Sequence, residues 1–332
     1  MQRWQQAMVR LAGSDRLRSW GEREPGASPA AARFVGGDSA TTAVATARRL
    51  RDEHGITASL FSLGEYHDDP ALIERTVAET TSAAKLLGAE GLDVHVSIDP
   101  TAIGFLVGAE LAGHNAERIA GAVAAAAGGG RTAVMLDMED LALVEPTLAL
   151  HRRLVQTGLP AAVTLQARLR RTADDLSDVV DLPTCVRLVK GAFPRGPAED
   201  HQGRRAIDAA YLELGRRMLA PAARAAGFYP VFATHDEVLA RQLIATAWAN
   251  GWGPQEYEFE MLYGVRPAWQ QDLRARGLSV RVYLPFGSDW WPYAIRRVGE
   301  HPRNVLLLGR ALLGRSYQPT DAPAMTAGCG QP

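Results

Sequence analysis

The stretch YPVFATHDEVLARQLIATAWANG, residues 229–251, decides how the chain is read. It opens with a short strand-like run (229–233), passes through the polar Thr234, His235 and Asp236, and continues as a helical segment ending on Gly251, a residue suited to a left-handed helix cap. Strand, polar strand end and capped helix together make one βα unit. The unit recurs in both directions along the chain. Strand-like runs stand at 56–63, 94–98 (VHVSI), 133–136 (AVML), 161–166 (AAVTLQ), 185–189 (CVRLV), 257–261 (YEFEM) and 279–284 (SVRVYL), separated by helical segments such as DPALIERTVAETTSAAKLLG and VEPTLALHRRLVQTG. Eight strands alternating with helices over about 260 residues predict an α/β fold, a (β/α)8 TIM-like barrel with a parallel sheet. A doubly wound sheet is the competing arrangement.

Upstream, Asp38 or Ser39 can cap a helix running through Arg51 and His54 to Gly55. Residues 1–37, with the link GEREPGASPAAARFVGG, read as an N-terminal helical arm and linker, 38–315 as the barrel, and 316–332 as a flexible C-terminal tail. The 332 residues are 47% hydrophobic and 22% charged, enough for a sizeable core and too apolar for wholesale disorder. A formal charge of -1 lacks the basic excess that phosphate backbones attract, so nucleic acid is an unexpected partner. Cys185 and Cys329 form neither a disulfide framework nor a CxxC motif, which fits a reducing cytoplasm. The N-terminus has no signal-peptide core, and no run of 18 apolar residues occurs.

In such barrels the chemistry collects where strands end at their C-termini. Those positions carry Asp137-Met138-Glu139, Gln166-Ala167-Arg168, Arg187 with Val189-Lys190-Gly191-Ala192, Thr234-His235-Asp236, Glu260 to Gly264, and Tyr283. A later segment, WWPYAIRRVGE, adds Arg296, Arg297 and Glu300. By position alone, Arg187 is open to a salt bridge beneath a loop, His235 to a satisfied core histidine, and Lys190 to the imine chemistry of barrel aldolases. Adjacent arginines on a helix are usually solvated, yet Arg296 and Arg297 lie about 100° apart around its axis and can grip one carboxylate from two sides, with Glu300 one turn on.

Taken together, Leu63-Gly64-Glu65, Asp137-Met138-Glu139, Arg187 to Ala192, Ala233-Thr234-His235, Met261 to Gly264, and Tyr283 followed by Arg296, Arg297 and Glu300 resemble the proline dehydrogenase family, in this order and over roughly 34–313. The resemblance implies a flavin-binding catalytic barrel that oxidises L-proline to 1-pyrroline-5-carboxylate by hydride transfer from substrate C5 to N5 of FAD. It places Arg187 near N5, Gln166 on the pyrimidine edge and Met138 beside the ring. Val189, Lys190, Gly191, Thr234 and His235 would line the cofactor. Arg296 and Arg297 would hold the substrate carboxylate and Tyr283 the ring, while Asp137, catalytic together with Arg187, would complete the polar lining; Asp99 is read from its own strand-end position as a further substrate-binding residue. No GxGxxG occurs, so the flavin would lie on the barrel. A membrane quinone is the implied electron acceptor, which would bring a cytoplasmic protein transiently to the inner membrane face; oligomeric state is left open.

Several residues depart from the family pattern. Asp99 stands where a lysine is usual, opposite Glu65, and the reversed charge calls for a new counter-ion; strand period two offers Arg168, in place of a tyrosine. Phe193 replaces another tyrosine, and Asp236 and Glu260 replace an asparagine and a glutamine. These changes admit a modified proline or another cyclic secondary amino acid as substrate, or a non-catalytic flavin or ligand sensor. His95, Ser97 and Asp99 share a strand face, but no second cluster supports a metal, and none is expected.

Overall fold

The computed structural model describes residues 34–191, 196–288, 290 and 293. All but the last belong to the compact unit spanning 33–290. Residues 1–33 of the arm, Ala192, Phe193, Arg296, Arg297, Glu300, Cys329 and the 316–332 tail lie outside the described residues.

Helix α1 (Ala40–His54) starts where the sequence has its cap: Ser39 accepts from the Thr42 N–H, Thr42 accepts from the Ser39 N–H, and Gly55 closes the other end at φ 64°. Its buried Ala40, Ala43, Val44 and Ala47 follow the helical spacing of a one-sided face. The strands follow as β1 (Thr57–Ser62), β2 (Val94–Ile98), β3 (Thr132–Leu136), β4 (Ala161–Gln166), β5 (Cys185–Val189), β6 (Tyr229–Ala233), β7 (Glu258–Leu262) and β8 (Ser279–Phe286). Between them lie α2 (Pro70–Ala89), α3 (Ala109–Ala126), α4 (Val144–Gln156), α5 (Thr172–Ser177), α6 (Arg204–Met218), α7 (Pro221–Ala225), α8 (Glu237–Ala249) and α9 (Pro267–Ala275).

Each strand pairs in parallel with the next, and β8 returns to β1 from Thr57 opposite Arg281 to Ser62 opposite Phe286. That closure excludes the doubly wound arrangement. Alternation then sorts the side chains. Val134, Leu136, Val163, Leu165, Val186 and Leu188 pack outward with the helices in one apolar cluster, whereas Ala133, Met135 and Ala162 form a separate cluster inside.

Much of the remaining interior is polar. Near the N-terminal ends of the strands Arg281 donates to Glu258 at 2.7 Å, to the Ala58 carbonyl at 2.9 Å and to Asp93 at 2.7 Å. This buried arginine is satisfied on every side, which the interior demands of a charge. Outside the barrel α2 and α3 pack so closely that a Cβ on Gly88 would collide with the Ala126 carbonyl oxygen. Among the described residues no helix is long and apolar enough to cross a membrane.

Candidate active site

The C-terminal strand ends are organised around one guanidinium. Arg187 projects from β5 into the barrel, where its side chain is 3% exposed. It donates from Nε to Glu260 Oε2 at 2.5 Å, from Nη1 to Asp137 Oδ1 at 2.5 Å, and from Nη2 to Glu260 Oε1 at 2.8 Å and Ser97 Oγ at 3.0 Å. The Tyr283 ring lies 5.2 Å from its central carbon. Side chains of β2, β7 and β8 and the residue following β3 therefore converge on a residue of β5. Of the five N–H donors a guanidinium owns, one on Nη1 makes no hydrogen bond among the described residues.

Asp137 is fixed as firmly as its partner. Its Oδ1 also accepts from Thr164 at 3.0 Å, and Oδ2 accepts from the Tyr283 hydroxyl at 2.9 Å. Tyr283 packs on Phe61 with ring centroids 5.2 Å apart, giving the mouth an aromatic wall. Burial works against the charge on Arg187, but Glu260 and Asp137 outweigh it and hold the guanidinium above its ordinary range. Burial likewise pushes the Glu260 carboxyl up while Arg187 pulls against it; two N–H bonds from a group that keeps its proton make Glu260 the carboxylate.

Beneath Ser97 a buried chain continues through Ser59, at 2.9 Å, to Nδ1 of His95, at 2.8 Å. Burial, reinforced by Arg281, Arg187 and Arg131, holds the His95 ring far below its usual pKa and hence neutral. Its neutral Nδ1 can then accept from Ser59, Ser59 from Ser97, and Ser97 from Arg187. The strand face considered for a metal thus serves hydrogen bonding, and among the described residues no group of three or more potential ligands could hold an ion.

Gln166, at the end of β4, donates Nε2 to the carbonyls of Met138 at 3.2 Å and Glu139 at 2.8 Å. What it has left to offer is an acceptor, Oε1. Gly191 adopts φ 94°, and a Cβ there would come within 2.8 Å of that oxygen, so glycine serves both the backbone and the close approach. Val189 pairs with Gln166 in the ladder.

On the β5–β6 side, Lys190, Thr234 and His235 line a cavity of about 610 Å³ together with Arg204, Arg241 and Arg266. Lys190 Nζ lies 2.5 Å from Asp208 and 3.5 Å from Asp236. An ion-paired lysine is the opposite of the desolvated or cation-flanked amine an aldolase needs. Asp236 also caps α8, accepting from the N–H groups of Val238 and Leu239.

A third group joins the β1, β2 and β3 ends. Glu139 accepts from the Thr101 hydroxyl at 2.5 Å and the Thr101 N–H at 2.9 Å, while Thr101 Oγ1 accepts from the Tyr66 N–H at 3.0 Å. Burial pushes the Glu139 carboxyl up to about 7; the Thr101 hydrogen bonds oppose this, and Glu65 and Asp137 add to it. Asp99 sits on the same β2 end, at the start of the 3-10 turn Pro100–Ile103.

The residues named from sequence fall into place unevenly. Asp137, Arg187 and Tyr283 meet directly, Met138, Gln166 and Gly191 form a second group, and Lys190, Thr234 and His235 line the cavity. Arg168 departs from expectation. Its only ion pair among the described residues is with Asp200, at 3.6 Å, and not with Glu65 or Asp99. The cause is local: the Arg168 carbonyl accepts from the His201 N–H, and Leu169 bridges Asp200, stitching this turn to the segment before α6. Sequence reading missed the Ser97–Ser59 chain, Thr164 and the Thr101–Glu139 strap. Polar residues two positions below a strand-end residue were the available signal for Ser97 and Thr164.

Comparison with known proteins identifies the family. A family model described as proline dehydrogenase matches residues 43–305. Proline dehydrogenase 1 of Bacillus subtilis subsp. natto is 33% identical over 286 residues, covering 85% of this chain and 90% of that protein. Proline dehydrogenase of Deinococcus radiodurans is 35% identical over 288 residues, with the same coverage of 85% and 90%. Among solved structures, proline utilization A from Bdellovibrio bacteriovorus, inactivated by N-propargylglycine, matches with a TM-score of 0.75 at 17% identity. The match takes in 95% of this chain and 40% of that one. The Corynebacterium freiburgense protein gives 0.70 at 19% identity, over 93% and 34%. The chain spans well under half of these longer proteins, and its likeness to them is one of fold. With the family model covering most of its length and relatives above 30% identity covered nearly end to end, the chain belongs to the proline dehydrogenase family.

Proposed function

We propose that this chain oxidises L-proline to 1-pyrroline-5-carboxylate, the first step of proline catabolism, using FAD held across the C-terminal mouth of the barrel. The family is one of flavoenzymes, and the residues present suit the cofactor. Gln166 offers an acceptor, which a flavin's N3–H requires. Gly191 lets the backbone approach. The cavity bearing Lys190, Arg204, Arg241 and Arg266, with Thr234 and His235, has cations and donors that a diphosphate could engage by competing with their present partners Asp208, Asp236 and Glu237. Met138 and Val189 would contact the ring. When bound, the flavin supplies N5 as the acceptor for the hydride leaving C5 of the substrate.

The protein's own work is placement. Arg187 offers its remaining N–H at the mouth, and Asp137 is a fixed anion rather than a free base, since three donors already hold it. Tyr283 on Phe61 gives the flat wall a five-membered ring can pack against. Arg296 and Arg297, outside the described residues, are assigned the substrate carboxylate, with Glu300 holding them. The amine must arrive or become unprotonated, because an ammonium has no lone pair to form the C=N bond. Electrons would pass on to a membrane quinone, so a chain otherwise at home in the cytoplasm would visit a membrane surface.

The single observation that carries the reading is the Arg187–Asp137–Tyr283 assembly at the strand ends. The test is to supply L-proline and a dye acceptor and trap the pyrroline product. Product formation is the expected result. Yellow protein yielding no product from any cyclic amine would identify a sensor, and colourless protein trapped by borohydride at Lys190 an aldolase.

A further inference from the structure

We propose that Glu260 is an electrostatic tuning residue that keeps the reduction potential of the bound flavin low by withholding Arg187 from it. The inference rests on the flavin reading above and concerns this chain's own residues. Both Glu260 oxygens are taken by Arg187, at 2.5 and 2.8 Å, and the two side chains are 2% and 3% exposed. Glu260 thus serves as a dedicated counter-ion inside the barrel. Asp137 takes Nη1 of the same guanidinium and Ser97 completes Nη2, so one guanidinium faces two carboxylates and the assembly carries a single net negative charge.

The consequence follows from where charge develops. Reduction places electron density on the isoalloxazine, and a nearby positive charge raises the potential by stabilising it. Here the only cation of the assembly is outnumbered by the two carboxylates that hold it, and the low-dielectric interior leaves that imbalance weakly screened. A reduced flavin above it would be a stronger electron donor. Ser97 acts differently: backed by Ser59 and His95, it fixes the guanidinium's orientation without adding charge.

Glu260→Gln keeps the shape and removes the charge, whereas Ser97→Ala removes one hydrogen bond and no charge. The measurements are the flavin midpoint potential and the affinity for sulfite, which adds to oxidised flavin N5 and leaves the ring anionic. E260Q is expected to shift the potential to more positive values and to tighten sulfite binding by about tenfold or more. S97A is expected to move neither. Unchanged values in E260Q, or an equal shift in S97A, would overturn the proposal. Should E260Q fail to fold, the wild-type protein decides: weak, millimolar sulfite binding is expected, and micromolar binding contradicts the charge assignment. Protein lacking the visible flavin band would instead sink the flavin reading itself, an outcome distinct from a flavoprotein with the wrong potential.

Discussion

Arg187 shows how a single side chain can be both structure and chemistry. It ties β5 to β2, to β7 and to the end of β3, so its removal should be felt in folding as well as in turnover. Arg187→Met is expected to cost about 3–5 kcal/mol, because two carboxylates are left buried without their cation, and chemical denaturation checks this. The Tyr283 hydroxyl is a gentler case. Tyr283→Phe keeps the aromatic wall and removes one donor to Asp137, so a stability loss of about 1 kcal/mol should accompany a clear drop in kcat. Strand-end position and family resemblance brought Arg187, Asp137 and Tyr283 forward from the sequence. Their mutual bonding was not readable there, because it depends on which side chains meet across a barrel axis from strands up to 146 residues apart.

At the scale of elements, the strands and their connecting helices were legible because each βα unit carries its own local signals. Ser39 and Gly55 bracket α1 as their chemistry dictates, and Asp69 followed by Pro70 does the same at the start of α2. Ser39→Ala should cost about 1 kcal/mol through lost capping, measurable by thermal unfolding. The turns after the strands were harder to read. The β4 turn sends Arg168 to Asp200 through a backbone bridge to a segment some thirty residues on. No period or propensity in the sequence encodes such a bridge. Gly191 makes a separate prediction at this scale: Gly191→Ala meets both a strained φ and Gln166, so flavin retention should fall while the barrel's circular dichroism stays unchanged.

At the largest scale the described residues form a barrel whose outer surface packs like any α/β protein and whose interior carries two levels of buried ions, Arg281 below and Arg187 above. Stability should depend on pH, and Glu139 makes a contribution of definite sign. Its carboxyl titrates near 7 when folded against an ordinary value of 4.5, so between those values the folded state holds more protons than the unfolded one. This group's contribution then falls as pH rises through that window, by on the order of 2–3 kcal/mol, and Glu139→Gln should flatten the decline in denaturant midpoints. The measurement that bears most directly on the account is the visible spectrum of the purified protein mixed anaerobically with L-proline. A yellow protein bleached by the substrate is the expected result. A colourless protein, or a flavin that neither proline nor its analogues can reduce, would contradict it.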